Sequence, residues 1–205
     1  LTEKNIALNC IGDNMEKYMS FRLGQLQFID SLQHLPASLE NLVSNLTGFD
    51  KLVSDLNLDI DPKTLKRIAN NGDFVSLQKL ITNNEGLKLI SKYTEHVKET
   101  FKVTHMHTTN TEYLLRKGDY PYDYMDSWEK FDETELPPKE AFYNRLTQHH
   151  ISDERYEYAQ SVWKVFNIKN MGEYHDLYLK CDVLLLADVF EAYRNQCMGD
   201  YGLDP

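Results

Sequence analysis

Near the C-terminal end of this 205-residue chain, Tyr178 and Asp182 stand four residues apart within Tyr174-His175-Asp176-Leu177-Tyr178-Leu179-Lys180-Cys181-Asp182. On a helix that spacing sets a phenol and a carboxylate on one face, one turn apart, as part of a metal site could be. A single carboxylate cannot hold a divalent cation for phosphoryl chemistry, so the pair has meaning only if other acids join it in space. Asp182 directly precedes the apolar run Val183-Leu184-Leu185-Leu186-Ala187. An acid at the edge of a buried helix is costly unless it is paired, hydrogen-bonded or metal-bound; Lys180 or a helix N-terminus could equally satisfy it. Lys117 heads the block Lys117-Gly118-Asp119-Tyr120-Pro121-Tyr122. It reads either as a turn lysine in solvent or as a cation that a rigid loop holds against a phosphate. His105 and His107, expected on a strand or loop without a third ligand nearby, read as solvated rather than metal-binding.

Composition limits the partners. Asp+Glu 32 against Lys+Arg 22 gives a net charge of -10, which excludes a free-standing basic module gripping duplex phosphates and confines any DNA contact to a local patch. With 41% hydrophobic residues the chain can bury one sizeable core or two small ones. Cys10, Cys181 and Cys197 are odd in number and far apart, as expected of free thiols in a reducing, intracellular compartment. No stretch approaches the length of a membrane span, so no membrane partner is expected. Starting at Leu1 and ending at Tyr201-Gly202-Leu203-Asp204-Pro205, the sequence reads as cut from something longer.

The elements that must position these side chains are legible in outline. Strands are expected over about 16–30: Tyr18, Ser20 and Arg22 alternate with Met19, Phe21 and Leu23, and the pattern turns at Gly24 and resumes at Leu26 and Phe28. After Pro36, Ser38-Leu39-Glu40-Asn41-Leu42-Val43 opens a helix. Residues 47–102 read as short helices punctuated by Pro62, Gly72 and Gly86, with Leu65, Ile68 and Ala69, then Phe74, Leu77, Leu80 and Ile81, then Leu87, Ile90 and either Tyr93 or Thr94 at helical spacing on one face. Residues 114–128 read as an ordered loop or short hairpin pinned by Tyr and Trp rings. Helices are expected over about 137–197. Pro137-Pro138 opens the first, which turns Phe142, Leu146 and Tyr143 inward. Ser152 caps the second, which buries Tyr156, Ala159, Val162, Trp163 and Phe166 as core rather than as a stacking platform. The last, from about 174 to 196, is apolar on nearly every face and should be central and buried. The fold class is α+β, mostly helical.

Several blocks in one order carry a resemblance: Phe28-Ile29-Asp30-Ser31-Leu32, Lys117-Gly118-Asp119-Tyr120-Pro121-Tyr122, Leu136-Pro137-Pro138, the Tyr174–Asp182 stretch and Tyr201-Gly202-Leu203-Asp204-Pro205. Together they resemble family B DNA polymerases of the organellar and viral, protein-primed type, found in viruses, linear plasmids and large transposons. The resemblance implies the C-terminal part of a ribonuclease-H-like 3′-5′ exonuclease domain over 1–197, leading into the polymerase palm from 198. It is weakest over 47–102. It further implies that Tyr178-x-x-x-Asp182 is the third exonuclease motif, with Asp182 a ligand of Mg²⁺ or Mn²⁺ and Tyr178 bonded to the attacking water. Ser31 and Leu32 would contact single-stranded DNA, and Lys117-x-x-Tyr120 would meet the DNA, with the lysine placing the scissile phosphate. Deoxynucleotides and a terminal protein primer are implied as partners of the parent enzyme.

The first two exonuclease motifs of that family, an Asp-x-Glu and an Asn followed by an aromatic and an Asp, are absent from the sequence, and neither Glu16 nor Asp30 has the spacing to replace them. The polymerase motifs are absent too. The resemblance therefore implies a fragment of a DNA-directed DNA polymerase with both sites incomplete, expected to be inactive alone. The competing expectation is a degenerate, transposon-derived binding or scaffold domain that keeps Tyr178 and Asp182 for packing.

Overall fold

The structure, a computed structural model, describes residues 8–12, 18–61, 63–64, 68 and 74–205. The chain divides into two compact units, Leu1–Ser38 and Leu39–Asp204. In the first, β1 (Leu8–Gly12), β2 (Tyr18–Leu23) and β3 (Leu26–Ile29) form an antiparallel sheet in the order β1-β2-β3. The alternation over 18–23 gives β2, and Gly24 at φ 63 makes the two-residue turn in a region where a side chain would be strained. That turn sets the register that pairs Phe21 with Phe28, whose rings stack at 4.5 Å. β1 was not expected, because Leu8, Cys10 and Ile11 do not alternate cleanly; pairing with β2 makes it a strand. A 3-10 turn follows at Ser31–Gln33.

The second unit is helical, so the chain is α+β and mostly helical, as expected. Its helices among the described residues are α1 (Leu39–Thr47), α2 (Phe49–Leu56), α3 (Phe74–Lys79), α4 (Asn84–Thr100), α5 (Lys102–His107), α6 (Asp153–Val165) and α7 (Met171–Tyr201). Val43, Leu77, Phe101, Met171 and Leu185 are fully buried. Among the described residues, no helix is long and apolar enough to cross a membrane. Pro62, Leu65, Ala69 and Gly72 lie outside the described residues; Ile68, Phe74, Leu77 and Ile81 are buried as expected, while Leu80 and Leu87 are exposed.

Four expectations need correction. Gly86 does not break the chain but sits in the first turn of α4. Its N–H donates to the capping Asn83 side chain at 2.6 Å, and an added Cβ would come within 2.6 Å of Ile81. His105 and His107 lie on helix α5, not on a strand or loop. Pro137-Pro138 opens only a 3-10 turn, Lys139–Phe142, because the chain then reverses: Asn144 pairs with His149, and the Asn144 side chain accepts the Thr147 N–H at 2.9 Å. Phe142 is buried, but Leu146 is thrown outward at 93% exposed. Ser152 does cap α6, and Ala159 and Val162 are buried, while Tyr156, Trp163 and Phe166, expected buried with them, are only half-buried. Finally, α7 is buried along one stripe rather than all round; Leu179 and Val183 are exposed on its other side.

The buried stripe of α7 includes Asp188, only 2% exposed. Its carboxylate accepts the Val103 N–H at 2.8 Å, the Thr104 N–H at 2.9 Å and the Thr104 hydroxyl at 2.7 Å. Phe101, at the N-cap position of α5, has no side chain able to cap it, so a carboxylate from a distant helix satisfies the orphan N–H groups and the positive end of the dipole. Asp188→Ala should lower unfolding free energy by about 2–4 kcal/mol in urea denaturation, since it strands buried N–H donors. Lys51→Ala, which breaks an exposed pair with Asp55, should cost under about 0.5 kcal/mol by the same measurement.

Candidate functional site

The site is built where the 117–124 loop lies on the first turns of α7. Tyr174, His175 and Tyr178 face the loop at helical spacing, and Tyr120 fills the space between them. The Tyr120 ring stacks on Tyr178 at 5.0 Å and on Tyr174 at 6.3 Å, and its hydroxyl bonds His175 Nδ1 at 2.8 Å. Tyr174, nearly fully buried, donates its hydroxyl proton to the Asp119 carbonyl at 2.6 Å. Gly118 permits this approach: a Cβ there would stand 3.1 Å from the Tyr178 ring.

Tyr178 and Asp182, one helical turn apart on α7, come near Lys117 of the distant loop, whose charge acts on Asp182. The Tyr178 and Tyr122 hydroxyls are 2.5 Å apart, and Tyr178 also hydrogen-bonds the Asp182 carboxylate. A carboxylate can only accept, so in the pair with Asp182 it is Tyr178 that donates. Burial, then the Tyr122 contact and the Asp182 charge, push the Tyr178 phenol far above its ordinary range, so it stays protonated. Asp182 Oδ1 is buried without a hydrogen-bond partner. Burial raises the Asp182 pKa against the opposing pull of the Lys117 ammonium and the Tyr178 hydrogen bond. Lys180 is not its partner, because its ammonium donates to the His107 carbonyl at 2.6 Å. An acid left with an open, buried oxygen fits a cation ligand, but among the described residues no group of three or more His, Cys, Asp or Glu side chains could hold a metal ion.

Lys117 and Tyr178 open onto a cleft of about 680 Å³, which Arg155 and the 143–151 segment also line. Arg155 donates to Asp119 at 2.7 Å and to Glu40 at 3.0 Å, tying α6 to α1 and to the loop. Burial raises the Asp119 pKa even so, against the charges of Arg155 and Arg116. Ser31 and Leu32 belong to the other unit, where Leu32 is half exposed and its N–H is held by Asp30 Oδ1 at 3.0 Å. Sequence reasoning gave no role to Tyr122 or Arg155, whose parts depend on contacts across 56 and 36 residues. It also missed Asp188, although an acid inside an apolar run was a usable signal.

The raised Asp182 pKa has a consequence for stability. The folded state holds this proton to higher pH than the unfolded chain, whose carboxyl titrates near 3.9, so stability falls as pH rises from about 4 through the raised value. Asp182→Asn should therefore melt at a higher temperature than the native chain at pH 7, and the difference should vanish near pH 3.5. A lower melting temperature for the variant at pH 7 would show that the carboxylate is structural. No family model matches the chain, and no curated protein or solved structure matches it either.

Proposed function

We propose that this chain is part of the ribonuclease-H-like 3′-5′ exonuclease domain of a family B DNA polymerase, in the region leading into the palm, and that Tyr178, Asp182 and Lys117 are its share of the exonuclease site. The observation that carries the reading is the unsatisfied Asp182 oxygen, acted on by Tyr178 and Lys117, the two residues that themselves line a cleft of about 680 Å³. A packing role would leave no reason to bury a carboxylate with an open oxygen, since an Asn or Leu there would cost less.

The chain's own groups divide the work by charge. Asp182 would hold Mg²⁺ or Mn²⁺ together with acids supplied by motifs that these residues lack; such an ion, when bound, supplies Lewis-acid stabilisation of the phosphate and an activated water. Tyr178 stays neutral, so it orients a water through its hydroxyl and does not act as a base. Tyr122 fixes that hydroxyl from the loop side. Lys117 brings a positive charge to the place where the phosphate's negative charge grows, and the loop that carries it is held by Tyr120 and Tyr174. Ser31, Leu32 and Tyr120 are proposed to meet the single strand, and deoxynucleotides, primer-template DNA and a terminal protein are proposed partners of the parent enzyme alone.

In the full-length enzyme, Asp182→Ala should abolish metal-dependent degradation of single-stranded DNA while primer extension continues; unchanged degradation would sink the assignment. Lys117→Ala should slow hydrolysis by about 10²–10³-fold, the magnitude for losing one charge-stabilising donor, with Mn²⁺ affinity retained. The chain by itself should show no primer extension on a gel.

A further inference from the structure

The far wall of the cleft has a shape that the exonuclease residues do not use. Beyond Lys117 and Tyr178 the cleft is lined by Tyr143, Asn144, Thr147, His149 and His150. These belong to the reversal that displaced the helix expected after Pro137-Pro138. The hairpin is closed by the Asn144 N–H donating to the His149 carbonyl at 3.0 Å, and Gln148 adopts φ 58 at its tip. It is tied to the same loop that carries Lys117 and Tyr122: the Arg145 N–H donates to Asp123 Oδ2 at 2.9 Å, and the guanidinium lies 3.7 Å from Oδ1. At its base the Tyr143 and His150 rings sit 4.7 Å apart, and His150 is exposed. The lining therefore combines a lysine with flat rings from the hairpin, around a volume in the range of small-ligand sites.

The charges on the lining say what such a cleft can hold. Glu40, Asp119 and Asp123 are acidic; Arg155 is committed to Asp119 and Glu40, and Lys117 lies beside Asp182. Little positive charge remains for a run of phosphates, so the backbone of a long strand cannot supply most of the affinity. Rings that stack on bases can.

We propose that the 143–150 hairpin is a base-stacking subsite for single-stranded nucleic acid, with His150 and Tyr143 as the stacking rings and Lys117 the cation for one phosphate. The proposal rests on the nucleic-acid reading of the Tyr178–Asp182 site and adds to it a second contact region that feeds a strand end toward that site. Binding through this subsite depends on bases more than on charge. Its salt dependence should be shallow, with Kd rising less than about threefold between 50 and 200 mM salt, the slope for about one neutralised phosphate on a single strand.

The test is fluorescence anisotropy of a 5′-fluorescein-labelled hexathymidylate titrated with the full 205-residue chain in EDTA, so that neither metal nor hydrolysis enters. His150→Ala should weaken binding at least about fivefold, and His150→Phe, which keeps a ring, should restore it. Leu146→Ala, on the same hairpin but pointing to solvent, should bind as the native chain does, and circular dichroism should show all variants folded. If Lys117→Ala weakens binding and His150→Ala does not, the stacking subsite is overturned while the nucleic-acid reading stands. If the native chain binds no oligonucleotide, both fall. A rise in Kd of a hundredfold or more over that salt range would also overturn the subsite, because it would mean a strand held by many phosphate contacts.

Discussion

A single stripe along α7 has to bury polar groups, and the second unit is arranged to satisfy them. Tyr174, Tyr178, Asp182 and Asp188 lie close to one another around the helix, flanked by the buried apolar residues Cys181, Leu185 and Val189. A buried phenol or carboxylate needs a partner, and α7 cannot supply one from its own backbone, where the N–H and C=O groups are already used. Three of these groups find their partner in the segment between 103 and 122: the Asp119 carbonyl for Tyr174, the Tyr122 hydroxyl for Tyr178, and the Val103 and Thr104 amides for Asp188, while the Lys117 charge from the same segment acts on Asp182. The position of α5 and the course of the loop therefore follow from the stripe.

Satisfaction along the stripe is uneven, and the unevenness separates structure from chemistry. Asp188 accepts three hydrogen bonds and fixes a helix end, a purely architectural arrangement. Asp182, six residues earlier, keeps one buried oxygen without a partner and a pKa raised by burial. Two acids of one type on one helix thus sit at opposite ends of the same energetic scale. A half-satisfied buried acid is costly, and the stability of the rest of the fold offsets that cost.

The acidic net charge and the basic contacts of the site are reconciled locally. Arg116 and Arg155 both approach Asp119, at 3.6 and 2.7 Å, and Arg116 also lies over the Tyr158 ring at 4.1 Å. These cations serve to hold α1, α6 and the loop together rather than to create a positive surface. With them committed, Lys117 carries the positive charge in the lining of the cleft, and the aromatic rings of the hairpin offer contact that does not depend on charge.

The sequence by itself determined the strand pairing at Gly24, the Ser152 cap, the burial of Phe74 and Leu77 on α3 and of Ala159 and Val162 on α6, and the helical spacing of Tyr178 and Asp182. All of these are local patterns, in which one residue's conformation or a repeat of two or 3.6 residues carries the information. It did not reveal that Asp188 would be the fully buried acid, that Lys180 would turn to His107 and leave an Asp182 oxygen unpartnered, or that the chain after Pro138 would reverse instead of continuing as a helix. Those outcomes belong to the tertiary structure. A buried polar group takes whatever donor the packing brings within about 3 Å, and that donor lies dozens of residues away in the chain, where no periodicity reaches.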